Sequence, residues 1–460
     1  MFSIETYRNR REKLKKSLGQ GIVLLPGNEE VGMNYTDNVY PFRQDGCFLY
    51  YTGINRPDLA LIIDIDNDRE IIFGDEATVD QIVWTGPVDA LGHFTSKAGI
   101  EEIQPFNAIG PYLKQALQRR QVVHFLPPYR STITLRMSDW LSMPWTTVAE
   151  NKSMPLIRAI ISQRSYKTTE EVAELDQAAD RTAAMQLKAI ELSRPGITEY
   201  EIAGQIEGVA TATGGKLSFP TILTGNGQYL HIHATDNVLR SGRLVLCDCG
   251  ADSNRHYAGD MTRTFPVGKK FTTHQREIYD IVLRAQQSAV NALKPGILFR
   301  DVHFLAAEQL AEGLKQLGFL KSDMKEAVRL GVHTLFFQCG LGHMLGQDVH
   351  DMENLGEEYV GYTHELKKSK EFGLRSLRLG RALEQGFVVT IEPGIYFIPE
   401  LIDKWQAENR HPDFVNYEKV NAFRSFGGIR IEEDFYITAS GSRLIGKPLA
   451  KTADEIEALK

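Results

Sequence analysis

Alternating strand and helix signals, followed by two similar halves, predict a chain of two domains: an α/β domain over residues 1–155 and a larger α+β domain over residues 165–460. Three observations carry this expectation. Apolar runs at residues 21–25, 47–51, 59–65, 70–73 and 122–126 read as strand signals, and a helical pattern at 111–120 precedes the last of them. RPGITEYEIAGQIEG from Arg194 and KPGILFRDVHFLAAEQLAEG from Lys294 form an internal repeat with an offset of 100 residues. Beyond residue 244, several short apolar runs each stop at a single acidic or imidazole side chain.

The elements follow in order. Residues 153–167 form the connector, and apolar Leu156, Ile157, Ile160 and Ile161 predict that it packs rather than flexes. Thr168 and Glu171 make a capping box, and Val172, Leu175, Ala179 and Ala183 recur at helical spacing behind it. In each copy of the repeat, Pro and Gly end one helix before the next begins. A strand region with polar interruptions follows each copy, so each half is expected to place helices outside and chemically active strands inside.

Leu244-Val245-Leu246-Cys247-Asp248-Cys249-Gly250 is too apolar to be anything but a buried strand, and a carboxylate there needs compensation. Asp260 follows twelve residues later, after a turn-rich stretch, and opens the alternating Met261-Thr262-Arg263-Thr264-Phe265. That is the grammar of a hairpin, which sets Asp248 beside Asp260; like charges so close repel unless cations lie between them. In Cys339-Gly340-Leu341-Gly342-His343-Met344-Leu345-Gly346, the glycines argue against a helix and for backbone packed closely, with His343 a ligand candidate and His350 a donor beyond it. Glu392 in TIEPG and Glu432 in GGIRIEED again end apolar strands, and strand alternation puts Arg430 on the face of Glu432. Four carboxylates and one imidazole suit two divalent metals.

The chain is 42% hydrophobic and long enough for two cores, while a net charge of -7 leaves no basic footprint for nucleic acid. No stretch has the unbroken apolar length of a membrane span, and residues 1–11 lack the apolar core of a signal peptide, so a cytoplasmic protein is expected. Cys47, Cys247, Cys249 and Cys339 show no zinc-type spacing and are expected as reduced thiols, with Cys247 and Cys249 facing away from Asp248.

With those words assembled, the stretch from about Arg164 onward resembles the pita-bread metallopeptidases, the family of methionine aminopeptidase, aminopeptidase P and prolidase. YPFRQDGCFLYYTGINRPDLALII, residues 40–63, resembles the amino-terminal domain of aminopeptidase P, which methionine aminopeptidases lack. The resemblance implies a pseudo-twofold catalytic domain in which Asp248 chelates one metal, Asp260 and Glu432 bridge both, and His343 and Glu392 complete the set. It implies manganese, with cobalt or zinc as substitutes. Glu392 would also orient and deprotonate the attacking water, His350 and Arg430 would hold the substrate, and a further histidine would bind the carbonyl or oxyanion. His231 is preferred for that role, with His233 as its neighbour. The implied reaction is release of the first residue from peptides with proline second; cleavage of Xaa-Pro dipeptides is the alternative, and a peptide-binding module or a creatinase-like hydrolase without metal is more remote. Homo-oligomers, dimers or tetramers, are implied as well. One departure is Cys339, where relatives commonly carry histidine, which puts the downstream substrate contacts in question. If the chain is an enzyme, Glu392→Gln should abolish peptide hydrolysis while the circular dichroism spectrum and melting temperature stay near those of the parent; retained turnover would remove Glu392 from the chemistry.

Overall fold

The computed structural model describes residues 1–460, which divide into two compact units: Met1–Arg164 with Met352–Gly356, and Ser165–Asp351 with Glu357–Lys460. In the first, strands β1 (Ile22–Pro26), β2 (Ala60–Asp64), β3 (Arg69–Phe73), β4 (Glu102–Gln104) and β5 (Val123–Phe125) form one mixed sheet in the order β4-β3-β2-β1-β5. β1 and β5 run parallel, as do β3 and β4, while β2 is antiparallel to both neighbours. Alternate residues of three strands, Ile22, Leu24, Ala60, Ile62, Ile71 and Phe73, make one apolar face. The helices Ile109–Gln118 and Ser131–Leu141 close that face with Leu113, Ala116, Ile133 and Met137.

One strand expectation fails in this unit. Residues 47–51 lie in the helix Gly46–Thr52, where Asp45 accepts hydrogen bonds from the N–H groups of Cys47 and Phe48 and Gly53 ends the helix in the left-handed region. Every residue of that helix is buried, so no polar face reveals its period, and a short apolar run reads the same in either state. Residues 154–164 are also helical, with Leu156, Ile157, Ile160 and Ile161 buried. A further helix, Val79–Thr85, buries nothing and holds Trp84 at 87% exposure beside Val79 and Val83.

The second unit shows the repeat in its backbone. Helices Thr169–Leu192 and Glu199–Ala212 pack together, as do Thr273–Ala292 and Phe299–Gln316. Gly196 N–H donates to the Leu239 carbonyl and Gly296 N–H to that of Leu383. Glu199 N–H meets Asn237 O, Phe299 N–H meets Arg381 O, and Leu239 and Leu383 return N–H bonds to Ile197 and Ile297. The two halves therefore bind corresponding segments, 235–239 and 380–383, in the same way. Strands β6 (Ile222–Thr224), β7 (Leu244–Cys249) and β8 (Met261–Pro266) form an antiparallel sheet in the first half. In the second half, β9 (Val388–Ile391), β10 (Gly394–Tyr396), β11 (Gly428–Arg430), β12 (Glu433–Ile437) and β13 (Ser442–Leu444) pair as β13-β12-β9 and β10-β11. GGIRIEED is thus two strands, interrupted at Ile431 and Glu432.

Two histidines outside the strands are buried, and the ring of His303 has no hydrogen-bond partner. His303 lies on the helix Phe299–Gln316 and His333 in a 3₁₀ turn, 3% exposed or less, their rings 6.1 Å apart with Phe337 stacked on His303. Burial pushes His303 down to about 3 and His333 to about 4. Both are neutral in the fold and take up protons only on unfolding, so their contribution to stability is present above the unfolded value of about 6.5 and is lost as pH falls towards 4. Between those limits each should contribute a slope of about 1.4 kcal/mol per pH unit. Urea denaturation of the parent and of His303→Leu from pH 7 to pH 4.5 checks this: the difference in stability should narrow with acidity, and parallel curves would exclude the effect.

Candidate metallopeptidase site

β7 and β8 pair in the register Asp248 opposite Thr262, so the hairpin brings Asp248 and Asp260 to one end of the sheet. Cys247 and Cys249 point to the opposite face, sulfur atoms 3.9 Å apart, where Gln186 donates to Cys249 Sγ and the Cys247 carbonyl. All four cysteines are free. The segment carrying His343 lies along the edge of β9. Thr390 N–H donates to the His343 carbonyl, His343 N–H donates to Thr390 Oγ1, and a Cβ on Gly342 would stand 2.0 Å from the Thr390 carbonyl oxygen. A larger residue cannot occupy 342 without displacing that edge, which explains the glycine beside the histidine. Glu392 follows β9 directly, and Glu432 occupies the break between β11 and β12 with its N–H on the Thr262 carbonyl.

These residues converge on a cavity of about 290 Å³ lined by Asp248, Asp260, His343, Glu392, Glu432, His231, His233 and His350, with Phe219, Pro220, Ile222 and Val349 as its apolar wall. Ligand atoms of Asp260, His343 and Glu432 all lie within 4.8 Å of one another. His343 Nε2 is 3.4 Å from Asp260 and 3.7 Å from Glu392, while its Nδ1 faces the Met344 carbonyl at 3.0 Å, leaving Nε2 for the cavity. Asp248 Oδ1 is buried and has no hydrogen-bond partner.

The charges repel. Burial, then the Asp260 and Glu392 carboxylates, raise Asp248 to about 7 despite Arg430 beside it, and burial with Asp260, Glu392 and Asp248 holds Glu432 well above the usual carboxylate range. His343 is raised to about 9: burial opposes its charge, but the hydrogen bond to Asp260 and the charges of Glu392 and Asp260 outweigh it. A buried oxygen without a donor, clustered anions and an imidazole nitrogen aimed among them fit divalent cations.

His350 packs its ring 4.3 Å from that of His343, and burial followed by the charges of His343 and Arg378 lowers it to about 2. His231 is lowered by burial, then by Arg430 and Arg378. Both rings are neutral donors or acceptors. His231 is in a turn and His233 makes one bridge to Ile222, so the two do not lie on one strand, and both reach the cavity. Arg378, whose charge acts on His231, His350 and Glu392, was missed in the sequence; its signal, an arginine 28 residues after His350, is too common to single out.

Arg430 is turned to the protein rather than to the cavity. Nη2 meets Asp248 Oδ2 at 2.5 Å, Nε donates to Thr262 Oγ1 and Nη1 to the Tyr396 hydroxyl, each at 3.0 Å. Thr262 Oγ1 in turn donates to Glu432 Oε2 at 2.6 Å. All three guanidinium nitrogens are engaged, so the expected hold on substrate is replaced by a hold on two ligand candidates. Behind them Arg263 donates to the Thr262 and Glu432 carbonyls and to Glu433, and Asp434 accepts the Asp260 N–H. Cys339 lies against Ile222, Leu246 and Tyr396, its thiol pushed up to about 12 by burial and then by Glu392. Arg430→Lys keeps a charge beside Asp248 but cannot serve Thr262 and Tyr396 together. It should weaken metal affinity by about 10- to 100-fold in calorimetric titration; an unchanged affinity would deny Arg430 this role.

Comparison with known proteins agrees with this geometry. Residues 173–439 match metallopeptidase family M24, and residues 7–124 match the aminopeptidase P N-terminal domain. The Xaa-Pro dipeptidase of Homo sapiens is 31% identical over 97% of this chain and 90% of its own length. The Xaa-Pro aminopeptidase of Escherichia coli is also 31% identical, over 99% of this chain and 98% of its own. Proline aminopeptidase P II from Yersinia pestis superposes with a TM-score of 0.82 at 30% identity, covering 100% of this chain and 99% of that one. A histidine-to-alanine variant of Escherichia coli aminopeptidase P gives 0.81 at 30% identity, covering 100% and 98%. The chain is a hydrolase with the pita-bread fold and belongs to metallopeptidase family M24, with an aminopeptidase P domain at its amino-terminal side.

Proposed function

We propose that the protein removes the first residue from peptides with proline in second place, hydrolysing the Xaa-Pro bond. The observation that carries this reading is the closeness of Asp260, His343 and Glu432, with Asp248 and Glu392 on the same cavity wall. These five residues would hold two divalent ions, manganese by family resemblance with cobalt or zinc as substitutes. Such ions supply a nucleophile from water at neutral pH and polarise the scissile carbonyl. Glu392, raised by burial and facing the cavity, takes the proton of the attacking water and returns it to the leaving nitrogen. His231 and His350, kept neutral, donate hydrogen bonds to the substrate without adding charge, and His233 lies beside them. Arg430 fixes Asp248 and, through Thr262, Glu432.

One observation favours Xaa-Pro dipeptides as the alternative. Arg378 is half-buried and its charge reaches His231, His350 and Glu392, where it suits the free carboxylate of a substrate that ends at proline. We also infer a homo-oligomer, supported by the exposed Val79, Val83 and Trp84, and a cytoplasmic location, supported by four free cysteines. No helix is long and apolar enough to cross a membrane.

Chelator-stripped protein should be inactive, and added manganese should restore cleavage of Xaa-Pro-Yaa before proline. Cleavage of the dipeptide alone, with its KM raised at least tenfold by Arg378→Leu, would assign the dipeptidase reading instead. Absence of cleavage with metal bound would overturn the proline specificity.

A further inference from the structure

We propose that Glu199 is the positioning residue of the loop that carries His231 and His233, an inference that rests on the reading of His231 as a substrate contact. Glu199 is the first residue of the helix Glu199–Ala212 and is 1% exposed. Its carboxylate makes no cap for its own helix. That task belongs to Thr198 and Glu201, which form a reciprocal capping box. Both oxygens of Glu199 instead cross to the loop. Oε1 accepts the Gly225 N–H and Asn237 Nδ2, each at 2.8 Å, with Thr224 Oγ1 at 3.4 Å. Oε2 accepts the Thr235 N–H at 3.0 Å and its hydroxyl at 2.9 Å.

One carboxylate thereby fastens both ends of the segment from Thr224 to Asn237, and both histidines lie between the fastened points. Within that span, the His233 ring has its own tie to the Thr221 carbonyl at 3.0 Å. An acceptor-only group is required because every atom facing it is a donor in this arrangement. The repeat supplies an internal contrast. Phe299 occupies the corresponding place in the second half, makes the same backbone bond to its partner segment, and is buried. The helix start therefore needs no carboxylate to pack; the acid is present in the half whose loop delivers imidazoles. Its function is to hold the histidines at a fixed reach over the cavity, where a displacement of about 1 Å costs about 100-fold in rate.

The test is a cycle of Glu199→Gln, His231→Ala and the double variant, assayed on the manganese-loaded enzyme, with metal content and thermal midpoint measured for each. Gln keeps the size of Glu but turns an amide donor towards the loop donors. The expected result is a fall in kcat/KM of about 10- to 100-fold for Glu199→Gln with metal content unchanged, and a double variant no worse than His231→Ala alone. Additive losses, or full activity in Glu199→Gln, would overturn the proposal. Amide exchange of residues 225–237 gives a readout independent of catalysis. It should quicken in Glu199→Gln, and unchanged exchange overturns the proposal whatever His231→Ala does; wild-type turnover in His231→Ala would instead remove the histidine reading while exchange still judges Glu199. If Glu199→Gln does not fold, Thr235→Val keeps the carboxylate, removes the hydroxyl that donates to Glu199 and accepts the Asn237 N–H, and should show the same pattern at smaller size.

Discussion

Several buried carboxylates share one cavity in the catalytic unit, and their mutual repulsion is the constraint around which the surrounding structure is arranged. Asp248, Asp260, Glu392 and Glu432 repel one another, Asp434 adds to the charge beside Asp260, and Arg430 and His343 offset only part of it. Such a cluster is unfavourable unless a rigid frame prevents it from relaxing. The frame is visible. Arg430 joins Asp248 to Thr262 and Tyr396, Arg263 clamps the main chain at Thr262 and Glu432, and Asp434 holds the main chain at Asp260. Glu433 closes this layer, taking Arg263, Gln286 and Lys451 on its two oxygens. Affinity for cations is thus built in, because a bound cation relieves repulsion that is otherwise relieved by protonation.

The pseudo-twofold repeat explains how two faces of the cavity come to be lined by different chemistry. Matching backbone bonds set segment 235–239 in the first half and 380–383 in the second into equivalent places. Just before the first segment lie His231 and His233, which line the cavity, and just before the second lies Arg378, whose charge acts on His231 and His350. A duplicated scaffold has kept its backbone and diverged in the side chains that meet the substrate. Chemistry in such a fold is carried by loop content, not by architecture.

Much of this was legible in the residues. A carboxylate within or ending an apolar run is costly to bury, so Asp248, Glu392 and Glu432 announced themselves by contradiction with their neighbours, Asp260 by its hairpin pairing with Asp248, and the glycines around His343 reported close backbone contact. What was hidden depended on distance in the chain. Arg430 read as a group free for substrate because its partners Asp248, Thr262 and Tyr396 lie 182, 168 and 34 residues away. Glu199 looked like an ordinary acidic residue in a first helical turn. The helix at residues 46–52 was obscured for a different reason, since uniform burial erases the polar face from which a period is read.

The segment Met352–Gly356 makes the first unit discontinuous in the chain. It follows His350 and Asp351 in sequence yet belongs to the amino-terminal unit, entering with Met352 in the left-handed region at φ 64° and leaving at Gly356 with φ 124°. Asn354 sits there among Pro26, Tyr129 and Ile133. During synthesis the first 164 residues emerge long before this strip does, so the smaller unit is complete only after a piece encoded within the larger one has been made. A chain cut to begin near residue 165 would carry that strip without the rest of the unit it belongs to.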